Sequence, residues 1–433
     1  MNTMINQTDI GQTAYQLVEE LFPLCRSITG NGVRQTLEIL HRYIPLKVFE
    51  VPTGQAVFDW VVPKEWNIQD AWIKTKSGEK IVDFQQSNLH VLNYSIPVHQ
   101  TISLKELKKH LFTVPEHPEW IPYRTSYYNE NWGFCIPHSL FERMADEEYE
   151  VCIDSTLIDG HLTYGEYYVK GETSDEVLIS CHICHPSLCN DNLAGIAMAT
   201  LLSRYLSGQQ MRYSYRFLFI PGTIGSITWL SRNESQVRQI RHGLVVACVG
   251  DAGQFHYKKS RRDNAEIDRI AENVLRHSGF PYELIDFFPF GYDERQYCSP
   301  GFNLAVGCLM RTPHGEYPEY HTSADNLDIV KPRYIQESFG MYLSIIQCLE
   351  ANKTYINLLP KCEPQLGKRG LYSAIGGDAN SKTMQLAMLW VLNFSDSDHS
   401  LLDISEKSGL DFKIIKQIAD ILTSNGLLKI KEG

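Results

Sequence analysis

From about residue 148 onward, short apolar runs alternate with amphipathic helical stretches, and no other feature narrows the fold as far. DEVLISCHI, YRFLFIPG, GLVVACVGDAG and FNLAVGCLM read as buried strands. LAGIAMATLLSRYLSG and AEIDRIAENVLRHSG, which lie among them, read as helices. Strands apolar along their whole length need cover on both sides, and intervening helices supply it. The expectation is an α/β fold: a mixed, mainly parallel sheet with helices on both faces.

At 433 residues the chain is too long for one ordinary core. Residues 11–24, GQTAYQLVEELFPL, show helical spacing, and after the turn ITGNG a second helix follows in VRQTLEILHRYI. From about residue 50 the texture becomes rich in Trp, Val and Tyr with Gly, Pro and Asn punctuation, which reads as short antiparallel strands. The helix LKELKKHLF and the polar aromatic loop PYRTSYYNENWGF belong to the same stretch. Residues 50–145 are therefore expected to be an inserted β-rich domain with its own small core. Residues 1–49 and 146–355 would form the α/β domain. The tail, 356–433, runs helix, helix, Gly turn, helix, short strand, which is the order of a winged helix.

Composition excludes several classes of function. The formal net charge of −11 disfavours nucleic acid and anionic lipid. The would-be recognition helix DFKIIKQIADILTSNG sets Lys413 and Lys416 against Asp411 and Asp420, so docking or homo-oligomer formation fits it better than DNA. No apolar run approaches the roughly 18 residues of a membrane span. MNTMINQTDI has neither a basic nor an apolar signal region, so a cytoplasmic location is expected. In that compartment the 11 cysteines should be reduced and mostly buried.

The chemistry concentrates in VLISCHICHPSLCNDNLAG. Cys181, Cys184 and His185 spell C-x-x-C-H, the attachment pattern of a c-type haem. That reading needs export, and its cysteines sit at a strand end, where packing suits Cys184 and Cys189 better. The competing reading is a metal site. His182 closes a buried strand, Asp191 sits in the turn into the next helix, and Asp251 ends another strand in GLVVACVGD. His321 stands in EYHTSADNLD with Asp325 four residues on. Ligands gather beyond the carboxyl ends of such strands. Two His and two Asp suit zinc, one ion or two, with Asp191 able to bridge a pair. His185 is a further possible ligand, and Asp325 an orienting carboxylate behind the others.

These motifs in this order resemble the zinc aminopeptidases of the M28 type. The resemblance assigns His182, Asp191 in DNLAG, Asp251 in VGDAG and His321 in YHTSADN as metal ligands. Nearly the full length also resembles a bacterial aminopeptidase-like subgroup linked to polysaccharide biosynthesis, through VPTGQAVFDWVVPKEWNI, SLKELKKHLF, IPYRTSYYNENWGFC and CHICHPSLCNDNLAG. It implies a hydrolase acting on an amide or aminoacyl bond, with a small aminoacyl or amino-sugar substrate. The chain departs from the family at two places. The family has His-x-Asp at the first ligand, where this chain has His182-x-Cys184. M28 enzymes carry Glu-Glu after the second strand, as general base and zinc ligand, whereas FIPGTIGSITWL has Gly222 and Thr223 there. Glu294 in GYDERQY is the first substitute base to consider, with Glu234, Asp293, Glu316 and Glu319 as others. The alternatives are a metal-binding pseudoenzyme that recognises glycan intermediates or partner proteins, and a winged-helix regulator.

Overall fold

The computed structural model describes residues 10–371 and 379–431. The stretch MNTMINQTDI, on which the expectation of no signal rests, lies outside the described residues except for Ile10. Among the described residues no helix is long and apolar enough to cross a membrane.

Two compact units emerge, Met1–Asp263 with Glu283–Phe339, and Asn264–Tyr282 with Gly340–Gly433. The first is built on an eight-stranded sheet. Its strands in chain order are Lys47–Pro52 (β1), His161–Val169 (β2), Glu176–His182 (β3), Ser214–Ile220 (β4), Ile240–Val246 (β5), Phe255–Lys258 (β6), Tyr282–Ile285 (β7) and Val306–Met310 (β8). They lie side by side as β1-β2-β4-β3-β5-β8-β6-β7. The four central strands, β4, β3, β5 and β8, run parallel. Flanking pairs are antiparallel: β1 with β2, β2 with β4, and β6 with β8. The sheet is thus mixed, with a parallel centre. β3, β4 and β8 are buried at every position, as their unbroken apolar runs require. Each fully buried Val, Leu or Ile there contributes about 1.5–3 kcal/mol.

Helices Ile10–Leu21 (α1), Asn31–His41 (α2), Ala194–Leu206 (α3) and Ile224–Arg232 (α4) belong to this unit. α1 buries Ile10, Ala14, Leu17, Val18 and Leu21, an i, i+4, i+7 stripe. Gly30 in ITGNG takes φ 95°, and a Cβ there would stand 1.9 Å from Trp66 O, so the turn into α2 tolerates only glycine.

Between β1 and β2 the chain forms a four-stranded antiparallel sheet of Lys80–Asp83, Glu65–Lys74, Glu148–Ile158 and Val98–Ser103. The expected antiparallel strands are present, but the expected separate core is not. Trp66, Ile73 and Val151 of this sheet share one continuous hydrophobic cluster with Leu178, Leu218 and Val245 of the large sheet. The strand Glu148–Ile158 passes the anticipated boundary at 145 and feeds β2 through Asp159–Gly160.

In the second unit, Thr354–Asn357 lies between Asp396–Ser400 and Leu428–Ile430 in a three-stranded sheet. Ser400 caps Leu401–Ser408 in a reciprocal box with Asp403, and Gly409 ends that helix at φ 70°. Asp411 then caps Phe412–Ser424. This is the helix, Gly turn, helix and strand order read from the sequence. Helix Glu266–His277 belongs to the same unit, where Arg269 pairs with Asp403 and Glu406.

Candidate metal centre

The centre forms where β3 ends. β3 closes on His182, and the chain turns through Cys189–Leu193 into α3. Asp191 occupies that turn with non-helical φ −113° and ψ 76°. Two local devices fix it. Asn192 Nδ2 donates to Val246 O at the end of β5, at 2.8 Å. Gly195 leaves the space this needs, since a Cβ there would stand 2.1 Å from Asn192 Oδ1. Asp325 holds the turn from behind: its carboxylate accepts the backbone N–H of Asn190 at 2.6 Å and of Asp191 at 3.0 Å, and the Tyr317 hydroxyl at 3.2 Å. Burial pushes the Asp325 carboxyl up to about 7, against the Asn190 N–H.

Three histidines converge on Asp191, which is fully buried. His182 Nε2 lies 2.8 Å from Oδ1, His321 Nε2 3.0 Å from Oδ2, and His185 Nδ1 3.3 Å from Oδ2. Burial alone would raise the Asp191 carboxyl. The nearby His185 ring and the hydrogen bonds from His182 and His321 overcome it and hold the group well below the usual carboxylate range. Burial lowers His182 and His321, against the raising effect of the Asp191 carboxylate.

The residues fit a metal ion. The ligand atoms of His182, His185 and Asp191 lie within 4.8 Å of one another. His185 Nδ1 is buried and makes no hydrogen bond, although a carboxylate oxygen is 3.3 Å away. Ligands about 2.0–2.2 Å from a tetrahedral zinc stand roughly 3.3 Å apart. Two imidazoles and one carboxylate are a zinc donor set.

An aromatic shell orients the ligands. Tyr292 donates to Asp191 Oδ1 at 2.8 Å and stacks on His182 with ring centres 4.4 Å apart. Tyr320 stacks on His321 at 3.9 Å. Tyr123 meets His185 and His321 edge-on at 5.2 and 5.1 Å. Tyr123 comes from the aromatic loop between β1 and β2, and its N–H donates to His321 O at 2.7 Å. His321 takes φ 55°, a left-handed conformation uncommon for a side chain with a Cβ.

Of the anticipated ligands, Asp251 is not among the converging atoms. Its Oδ1 accepts from Gly253 N at 2.6 Å and Thr312 Oγ1 at 2.8 Å, and its Oδ2 from Asn190 Nδ2 at 2.8 Å, so it braces the loop beside Asp191. His185, the further possible ligand, stands in the cluster. Glu294 is committed elsewhere: Lys258 Nζ bonds its Oε1 at 2.7 Å, and the two side chains are only 4% and 1% exposed. Glu234 and Glu316 are exposed. Asp293 is different. It is wholly buried, Ser226 Oγ donates to its Oδ1 at 2.7 Å, and its Oδ2 has no hydrogen-bond partner. A Cβ built on Gly222 would lie 3.2 Å from His182 Cβ and 3.7 Å from both Asp293 carboxylate oxygens. Burial raises Asp293 to about 7 against the Ser226 bond, with the Glu294 charge adding to the rise. Cys181 and Cys184 are buried and unpaired at the end of β3, as small packing groups.

Comparison with known proteins agrees with this architecture. Residues 15–352 match the family described as Domain of unknown function (DUF4910), and residues 353–430 match a winged helix-turn-helix family. A Clostridium acetobutylicum protein is 54% identical over 425 residues, 98% of each chain; its name, polysaccharide biosynthesis protein with aminopeptidase-like domain, is provisional. A crystal structure from the same organism, described provisionally as a peptidase, is 53% identical with a TM-score of 0.94, covering 99% of this chain and 98% of that one. A zinc aminopeptidase from Bacillus subtilis shares the fold at 13% identity, with a TM-score of 0.58 over 79% of this chain and 94% of its own.

Proposed function

This chain belongs to the DUF4910 family and ends in a winged helix, and from that premise we propose that it is a zinc-dependent, aminopeptidase-like hydrolase of amide or aminoacyl bonds. The observation that carries the proposal is the buried Asp191 carboxylate faced by His182, His185 and His321. His182, His185 and Asp191 would hold one ion tightly, three protein ligands with a position left open. Zinc bound there would supply Lewis acidity, polarising a substrate carbonyl and acidifying water. The chain's own residues prepare that chemistry. His182 would present a ring nitrogen to the ion, Tyr292 fixes the Asp191 carboxylate and Asp325 its backbone, and Tyr123 and Tyr320 keep the His185 and His321 rings in place. The Clostridium relative's name supports a role in polysaccharide biosynthesis. An aminoacyl or amino-sugar amide as substrate and a cytoplasmic location complete the proposal. In the tail, the Lys416–Asp420 ion pair neutralises the would-be recognition helix, which favours a protein partner or second copy over nucleic acid.

The rival reading is a metal-binding protein that recognises glycan intermediates without cleaving them, and neutral Gly222 and Thr223 favour it. One experiment separates the two. Chelator-stripped protein is titrated with zinc, then incubated with aminoacyl p-nitroanilides and with N-acyl and N-aminoacyl amino sugars, and amine release is followed. One tight zinc and zinc-dependent release are expected. Absence of zinc binding would sink both readings, and tight zinc with no release from either panel would leave the recognition role.

A further inference from the structure

Resting on the hydrolase reading, we propose that Asp293 is the catalytic proton acceptor of this site, packed from the loop before Glu294–Tyr297 against Gly222, just past the end of β4. Three observations carry this. Asp293 packs close to the centre: both its oxygens lie 3.7 Å from the position a Gly222 Cβ would take, and the same position is 3.2 Å from His182 Cβ. The carboxylate is held on one side only, by Ser226 Oγ on Oδ1 at 2.7 Å. Its other oxygen, Oδ2, is buried without a partner, an unsatisfied group that native structures seldom keep without a purpose. Glu294 also has one buried oxygen without a partner, Oε2, but its Oε1 holds the Lys258 ammonium at 2.7 Å, a cation that Asp293 lacks. Asp325 accepts two backbone N–H groups and a tyrosine hydroxyl, and Asp191 is faced by three histidines.

The chemistry is that of a general base. As the oxygen of the attacking water bonds to the amide carbon, one O–H bond breaks and its proton passes to Asp293 Oδ2. Asp293 returns that proton to the nitrogen as the C–N bond breaks. The second water proton follows to the amine as the new acid ionises, so the products are a carboxylate and an ammonium ion. Ser226 acts as a positioning residue, fixing Oδ1 so that Oδ2 faces the reacting water.

Asp293→Asn keeps the shape and the Ser226 contact but cannot accept the proton. Zinc stoichiometry of the stripped and titrated variant should match wild type, and its thermal midpoint should not fall. Turnover of a p-nitroanilide or amino-sugar amide should drop roughly 100- to 10,000-fold in kcat with KM little changed. A readout independent of turnover is the affinity of the zinc-loaded protein for an aminoacyl hydroxamate, whose acidic proton needs an acceptor beside the metal; it should weaken about tenfold or more in Asp293→Asn. Loss of zinc by the variant would make Asp293 a ligand and overturn the assignment. So would hydroxamate affinity equal to wild type, or no hydroxamate binding by wild type. If wild type binds hydroxamate through Asp293 yet cleaves no amide, the amide-hydrolase reading fails while the acceptor stands.

Discussion

At the residue scale, the centre is a single carboxylate held in one orientation by neighbours from three separate stretches of chain. Tyr292 is the neighbour whose contribution can be isolated most cleanly. Its hydroxyl gives Asp191 Oδ1 a hydrogen bond, while its ring stacks on His182. Tyr292→Phe keeps the stack and removes the bond. Groups that orient metal ligands typically set about 10- to 100-fold in affinity, and the buried oxygen left without its donor adds to the cost. Zinc affinity of Tyr292→Phe should fall about tenfold with stoichiometry unchanged, measured by competition with a chromophoric chelator; an affinity equal to wild type would make the tyrosine mere packing. Much of this level was legible in the sequence. His182 and Asp191 sit at a strand end and in the turn that follows, where spacing alone locates them, and His321, with Asp325 four residues on, stands in a recognisable Tyr-His-Thr. Tyr292, Asp293 and Glu294 were not separable by the same means. They are consecutive in a short loop with no periodicity, so nothing in their order says which one faces Asp191, which faces Gly222 and which pairs with Lys258. Asp251 looked like a ligand because it ends a buried strand, but the hydroxyl and amide donors of Thr312 and Asn190 reach it first.

At the element scale, the junction between α2, the smaller sheet and β2 rests on one carboxylate. Arg34 on α2 donates through both terminal nitrogens to Glu65, and the His161 N–H of β2 donates to Glu65 Oε2 at 2.9 Å. The Arg34 hydrogen bonds hold Glu65 down to about 2. The sign follows directly. A depressed carboxyl contributes stability that is complete above its unfolded value, near 4.3, and that is lost as pH falls toward 2. Wild type should therefore exceed Arg34→Met in stability by a margin that is constant from pH 7 to about 5 and shrinks between pH 4.5 and 3, followed by urea unfolding. A margin that does not change with pH would contradict the clamp. Element type was readable here because amphipathic spacing and alternation are local properties. Strand pairing was less so. The antiparallel flanks of the large sheet and the common core of the two sheets depend on contacts between residues about a hundred positions apart, which no local pattern encodes.

On the scale of the whole molecule, the stretch between β1 and β2 is part of the centre's wall. Tyr123 N–H bonds His321 O, Ser323 N–H bonds Ile121 O, and Ser323 Oγ accepts the Ile121 N–H at 2.9 Å, while Pro122 and Thr322 form a bridge. Just beyond that seam, Tyr128, Asn129, Glu130 and Asn131 are exposed, the kind of loop tip that proteases find first. A nick there leaves every metal-facing side chain in the protein but frees the ends of the segment that holds the His321 backbone. The consequence is kinetic: zinc should leave a nicked chain faster than an intact one while both still bind it. Exchange of bound zinc for an isotopic or cobalt probe, timed before and after limited proteolysis, would register this as a shortened residence time, and the far loop would then be the latch that sets how long the ion stays.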